Sequence, residues 1–307
     1  MIKRNVILCL KILTTVTLLT VVFEDVKFTV VFDEFQNMSL RVVSLIFSLM
    51  FLQLLIASVR WLEILDYLNI SLSYKKCAAY TWAGMFFSQA LPSSIGGDAY
   101  KIFQIKNLGH SYKGAFYSVL SDRLFGLVGV LTLILMFPFV ALAMEHQQIL
   151  GFNIRFLMYV ALASMLFYFF ILRTLKYFRN RNYFNHVYQF LEKLFLFSAS
   201  MKTLFLIVTS SFLIHSITIS IFLVIAHPLS VEIPTVMFLI LIPMMVLITT
   251  LPISIAGWGV RESFLVFTFG QFGVENATSI SISIVYGLLV LIFSIPGSAM
   301  WFEKNKI

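Results

Sequence analysis

Six apolar runs, each long enough to cross a bilayer, constrain this chain before anything else does. They lie near residues 5–23, 41–60, 124–144, 155–173, 203–226 and 278–302. Crossing the hydrocarbon takes about 20 apolar residues in an α-helix. A segment in lipid must satisfy its own backbone hydrogen bonds, so such runs fold as helices. The 307 residues are 60% hydrophobic and 12% charged, and the mean hydropathy is +0.95. That is more apolar surface than a water-soluble core can hide. The expected fold class is an all-α integral membrane protein, a single membrane domain over residues 1–307. The 33 Phe residues fit lipid-facing helices and carry no functional message of their own.

Two further apolar stretches are too short or too interrupted to span. Residues 77–91 run into Leu91-Pro92, and the half-apolar stretch 95–109 follows. Residues 234–251, punctuated by Pro234 and Pro243, run into Leu251-Pro252, and 255–272 follow. The phrase at the break is used twice: Leu91-Pro92-Ser93-Ser94-Ile95-Gly96-Gly97 and Leu251-Pro252-Ile253-Ser254-Ile255-Ala256-Gly257. Each is read as the break in a pair of half-length helices that dip in and out of the membrane. Broken helices at matching places in two halves point to a transport site at the repeat interface.

The formal charge of +8 is concentrated in particular loops, which marks topology rather than nucleic-acid binding. Lys3 and Arg4, then Arg60, Lys75 and Lys76, then Lys101, Lys106 and Lys113, then Arg173 to Lys202, then Lys304 and Lys306 are assigned to the cytoplasmic side. The acidic loop 24–40 and the loops near 145–154 and 227–233 fall outside. Alternation works only if both helix pairs are re-entrant, with both termini cytoplasmic. Repeat one then covers about 1–150 and repeat two about 151–307, in inverted topology. Residues 174–202 read as a basic, amphipathic cytoplasmic segment on the anionic leaflet. Lys3 and Arg4 before a long apolar run suggest an uncleaved signal anchor. Lys11, inside that run, reads as snorkelling to the near interface.

Ionisable side chains within membrane segments are functional candidates. Here they are Asp98 and Lys101, Asp122 and Arg123, and Arg261 and Glu262. Gly96 and Gly97 allow a sharp turn and close backbone approach, and a helix starting near Asp98 would direct free N–H groups inward, toward an anion. Gly257-Trp258-Gly259 offers the same device one turn before Arg261, whose planar fork suits phosphate. Trp258 could pack on an acyl chain or sit at an interface. Purely structural roles stay open: Asp98 could cap its helix, Asp122 with Arg123 could fix span packing, and Arg261 with Glu262 could lock helices together. His215, alone in an apolar span, reads as a helix–helix hydrogen bond.

No P-loop, nucleophile elbow or HExxH is present, and no acid/base carboxylate pair stands on one face. The His residues lack metal-ligand spacing, and Cys9 and Cys77 give no reason to pair. No catalytic residue, metal or cofactor is expected.

The run Phe86-Phe87-Ser88-Gln89-Ala90-Leu91-Pro92-Ser93-Ser94-Ile95-Gly96-Gly97-Asp98-Ala99-Tyr100-Lys101, with Ser121-Asp122-Arg123-Leu124-Phe125-Gly126, resembles the transmembrane region of lysylphosphatidylglycerol synthases. So does Leu251 to Glu262, with Tyr286-Gly287 and Pro296-Gly297 downstream. In two-part members a flippase region precedes an aminoacyl-transferase domain. The resemblance implies that this chain, ending at Ile307, corresponds to the lipid-translocating part alone. Where the family usually has Arg, this chain has Lys101, which keeps the charge but not the two-pronged phosphate contact.

The resulting expectation is a bacterial inner-membrane flippase moving an anionic-headgroup lipid, a phospholipid or a polyprenyl-phosphate-linked lipid. Gly96, Gly97, Gly257 and Gly259 would shape a polar cavity. Lys101, Arg123 and Arg261 would hold the phosphate, while Asp98, Asp122 and Glu262 would balance charge or bind a coupling cation. A proton or sodium gradient could drive the process, or it could run downhill, and a homo-oligomer stays open. The alternatives are a membrane-embedded enzyme or accessory subunit of envelope glycolipid synthesis, a carrier of a small soluble solute, and a scaffold.

Overall fold

The computed structural model describes residues 17, 20, 38–90, 95–143, 148–149, 152–153, 201–229, 231–251 and 254–302. The expected spans 5–23 and 155–173, Lys11 and Cys9, the core of each Leu-Pro phrase (91–94 and 252–253) and nearly all of the segment 174–202 lie outside them.

Among the described residues the chain is helical apart from a two-residue strand pairing, Gln148–Ile149 with Phe152–Asn153. The helices are α1 (Leu40–Tyr67), α2 (Tyr74–Ala90), α3 (Gly96–Asn107), α4 (Tyr112–Ala143), α5 (Met201–Ala226), α6 (Thr235–Thr250), α7 (Val260–Gly270) and α8 (Asn276–Phe302). Ser39 caps α1 by accepting from the Val42 backbone N–H. Asn69 (φ 59°) and Gly109 (φ 92°) take left-handed conformations in the turns after α1 and α3.

Four helices are long and apolar enough to cross a membrane: α1, α4 as far as Met136, α5 with its short 3₁₀ extension to Leu229, and α8 as far as Ala299. They match four of the six expected spans, but two of them start or end well beyond the apolar run. α1 continues to Tyr67, past the run ending at 60, and α4 begins at Tyr112, twelve positions before 124. The remaining helices are short, with 17 residues in α2, 12 in α3, 16 in α6 and 11 in α7. At 1.5 Å per residue α3 and α7 reach only about 16–18 Å, well under the roughly 30 Å of the hydrocarbon core.

The largest core cluster gathers Ile46 and Leu54 of α1, Phe222 of α5, Leu241 of α6, Phe269 of α7 and Leu289 of α8. Polar side chains tie helices together where lipid offers no hydrophobic drive. Gln53 on α1 donates to the Thr218 hydroxyl at 2.8 Å and to the Ile214 carbonyl at 3.1 Å, both on α5. His215 Nε2 lies 3.0 Å from the Gly126 carbonyl of α4, the helix–helix bond expected of it. Small residues set close crossings. A Cβ on Gly129 of α4 would lie 2.7 Å from Ser211 Cβ of α5, and one on Gly297 of α8 would lie 2.5 Å from the Trp82 carbonyl of α2.

The packing crosses between the two parts of the chain. α2 packs on α3 and α1, and also on α8; α6 packs on α7 and α5, and also on α4. α3 packs on α4 and α7 on α8, while α1 and α5 pack on each other.

Candidate functional site

Charges adjacent in sequence look to different partners in the first half. Asp122 and Arg123 are neighbours on α4, but successive helical positions are about 100° apart around the axis. Asp122 faces α1 and α3: it accepts from Arg60 Nε at 2.8 Å and lies 3.7 Å from Lys101 Nζ. Arg123 instead donates to Asp98 on α3. Asp98 therefore serves Arg123 rather than capping its own helix, and α3 has no side-chain cap at its start. These residues stand inside α4, ten and eleven positions from its first residue, not at a span start.

Arg60 corrects the reading of the charges. The sequence assigns it to a cytoplasmic loop, whereas it sits inside α1 at 8% exposure. Besides Asp122, it donates to Ser211 on α5 at 3.1 Å. The signal that could have found it is its own position, at the end of an 18-plus apolar stretch with helix-forming residues beyond. Trp61, fully buried beside it, carries the Lys101 ammonium 4.3 Å from its ring centroid.

Glycine acts here through helix contact. A Cβ on Gly97 would collide with the Gly84 carbonyl and the Ser88 hydroxyl of α2. Gly97 thus lets α3 lie directly against α2, with Gly96 buried beside it.

In the second half Arg261 and Glu262 do pair with each other. Arg261 Nη2 donates to Glu262 Oε1 at 2.9 Å, and Arg261 Nε donates to the Ser283 hydroxyl of α8 at 2.8 Å. Ser283 in turn donates to Glu262 Oε1 at 2.7 Å. Glu262 Oε2 accepts from the Gly259 backbone N–H at 2.6 Å, so its carboxylate occupies the start of α7 where the sequence suggests an external anion. Ala256 (φ 50°), Gly257 (φ 81°) and Gly259 (φ 83°) wind the chain tightly into that start. The Arg261 guanidinium carbon is 5.0 Å from the Trp258 ring and 5.3 Å from the Tyr286 ring. Trp258 therefore packs on Arg261, and Gly287 leaves room for both side chains.

Two cavities meet between these groups. One, of about 200 Å3, is lined by Thr81, Gly84, Met85, Ser88, Gln89, Gly97, Asp98, Lys101 and Val290. The other, of about 300 Å3, is lined by Gln53, Ser88, Gln89, Ile214, His215, Thr218, Met245, Val246, Thr249, Ala256, Arg261, Tyr286 and Val290. Ser88, Gln89 and Val290 belong to both walls, so the two cavities adjoin across these side chains as two chambers of a hollow. Of the residues selected from sequence, Gly97, Asp98, Lys101 and Arg261 line it; Asp122, Arg123 and Glu262 stand behind as their ion partners, and Trp258 stacks on Arg261. Lys101 and Arg261 hold the same place in the two phrases, ten residues after the leucine. Among the described residues no group of three His, Cys, Asp or Glu could hold a metal ion. Cys77 is buried, its thiol donating to the Ser58 carbonyl at 3.2 Å.

No curated protein matches the chain. The family model described as the lysylphosphatidylglycerol synthase TM region matches residues 8–297, nearly its whole length, and the chain belongs to that family.

Proposed function

We propose that this protein carries an anionic-headgroup lipid from one leaflet of its membrane to the other. The observation that carries the reading is the two-chambered hollow, which has a cation from equivalent positions of the two Leu-Pro phrases in each chamber. The headgroup enters the hollow and its phosphate meets Lys101 or Arg261, while the tails stay in lipid. Ionised groups are costly in lipid, and a prearranged polar path removes much of that cost.

On this reading α2 with α3 and α6 with α7 are re-entrant pairs, and the two halves form an inverted repeat of six spans. What supports the repeat is that the helix packing survives exchange of the halves. If α1 to α4 trade places with α5 to α8, α2 on α8 becomes α6 on α4, and α3 on α4 becomes α7 on α8. Such repeats commonly place a transport site at their interface. Both termini are assigned to the cytoplasm of a bacterial inner membrane, with transport, not catalysis, as the activity. A proton or sodium gradient is the proposed drive.

The test is reconstitution in liposomes with labelled phospholipids or polyprenyl phosphates, comparing wild type with Arg261→Ala. The expected result is protein-dependent leaflet exchange that falls by at least about tenfold in the variant, the loss of one good charge-assisted contact. Exchange indifferent to Arg261→Ala removes the site, and absence of exchange by the wild type removes the function. Product formation in detergent, abolished by Asp98→Ala, would identify an enzyme instead.

A further inference from the structure

We infer that His215 is a proton site: its open ring nitrogen takes a proton from water when an anion enters the larger chamber and returns it to water when the anion leaves. The inference rests on the transport reading and names the side chain through which a proton is coupled to it.

The bond from α5 to α4 settles which nitrogen is open. A carbonyl oxygen can only accept, so Nε2, 3.0 Å from the Gly126 carbonyl, carries the hydrogen. The neutral ring then keeps Nδ1 as an acceptor. Nδ1 has no hydrogen-bond partner among the described residues, and His215 stands in the wall of the larger chamber. A proton added at Nδ1 leaves the Nε2–H bond to Gly126 in place. The ring can therefore charge and discharge while α4 and α5 stay joined.

The groups around the ring decide when it charges. Ser211, His215 and Thr218 share one face of α5. Arg60 of α1 donates to Ser211, one turn away, and lies beside Gly126, 3.6 Å from where a Cβ would stand there. Arg60 is ion-paired to Asp122 of α4. Arg261 of α7, ion-paired to Glu262, and Tyr286 of α8 share the chamber wall with His215. α2 and α6 give that wall only neutral residues, Ser88 and Gln89 from one and Met245, Val246 and Thr249 from the other. No carboxylate is among the described lining residues. Asp122 and Glu262 are already engaged by guanidiniums, so neither is left over for an imidazolium. A charge without a partner in a membrane segment is costly, and an anion in the chamber supplies the partner. Anion and proton then favour each other's binding by the same factor.

The other titratable groups lining the hollow are less suited. Asp98 is held by Arg123, and protonating it would break that pair. Lys101, over Trp61 and near Asp122, is already a cation, as is Arg261. A tyrosine keeps its proton throughout the physiological range. A histidine is the side chain that exchanges a proton there, and His215 breaks no contact in doing so.

The test is isothermal titration of the purified full chain in detergent with dihexanoyl phosphatidylglycerol, a probe whose phosphodiester keeps one negative charge across the pH range used. Repeating each titration in two buffers of different ionisation enthalpy counts the protons taken up. The wild type is expected to take up about half to one proton per bound anion, so that affinity rises about three- to tenfold per unit of falling pH between about pH 7.5 and 5.5. His215→Gln, whose amide can still donate to the Gly126 carbonyl, is expected to bind with no proton uptake and with an affinity indifferent to pH. Binding without proton uptake by the wild type overturns the inference, leaves the transport reading standing, and needs no variant to fold. Uptake that persists in His215→Gln overturns the assignment to His215. A wild type that does not bind the probe has no anion chamber, which overturns the inference and the transport reading together. Leaflet exchange is measured separately, so proton-linked binding by a protein that moves no lipid sinks the transport reading alone.

Discussion

Arg60 on α1 donates to Asp122 on α4 across 2.8 Å, although the two lie 62 residues apart in sequence. With its other arm on Ser211, the same guanidinium joins α1, α4 and α5. Removing one partner of such a buried pair strands the other. Arg60→Met is therefore expected to lower stability by about 3–5 kcal/mol. Thermal unfolding in detergent measures it. Asp122→Asn added to that variant should recover part of the loss, because the stranded carboxylate is then gone. A double variant as unstable as the sum of the singles would show that the two residues act independently.

Glu262 has two structural duties, closing the start of α7 on Gly259 and holding Arg261 with Ser283. Glu262→Ala ends both and is expected to cost about 3–5 kcal/mol by stranding Arg261. Glu262→Gln keeps one acceptor oxygen, which serves the Gly259 N–H or Ser283 but not both, so its loss should be smaller than that of Glu262→Ala. Equal melting temperatures for the two variants would contradict the geometry.

Gly287 separates packing from function. A Cβ there would lie 2.5 Å from Arg261 Nη2 and 2.8 Å from the Trp258 ring. The long Arg261 side chain can yield, so Gly287→Ala should cost only about 1 kcal/mol, the low end for overpacking. The displaced guanidinium should nonetheless slow leaflet exchange by about tenfold, by analogy with losing one charge-assisted contact. Wild-type exchange rates would show that the position of Arg261 does not matter.

Trp82 ties α2 to α8 one residue beyond the Ile292 carbonyl that Pro296 leaves without a helical donor. Pro296 lies within that helix and cannot donate to it, and the Trp82 indole N–H donates to the nearby Phe293 carbonyl at 2.8 Å. Its ring also stacks on Phe293 at 5.5 Å. Trp82→Phe should keep the stacking and lose the bond, at about 1–3 kcal/mol. Gly297→Ala, which forces α8 away from the Trp82 backbone, should unfold the protein at a lower temperature than Trp82→Phe does.

The four described spans were legible because lipid demands long apolar runs, and 41–60 and 203–226 announce themselves. Helix ends were less so. A helix can continue past the hydrocarbon with polar residues, as α1 does through Glu63 and Asp66, and hydropathy stops counting at the first charge. Arg60 was misread for that reason: loop counting treats a Lys or Arg at the edge of a run as solvated. The sequence did single out Asp98, Lys101, Asp122, Arg123, Arg261 and Glu262 by their presence in membrane segments. Their partners were not readable, because adjacent residues on a helix face different neighbours and nothing local links Asp122 to Arg60. The exception, Arg261 with Glu262, pairs at a helix start, where Glu262 turns back toward Gly259 and Arg261 meets it at Ser283.

The placement of α2 against α8 and of α4 against α6 has one more consequence. Neither portion of the chain completes its own chamber: Val290 of α8 joins the wall around Lys101, and Gln53 of α1 with Ser88 and Gln89 of α2 joins the wall around Arg261. A lesion in the final helix is thus felt at the earlier lysine, and one in α2 at the later arginine. Severed into two polypeptides, the molecule would have to reassemble before either chamber was closed.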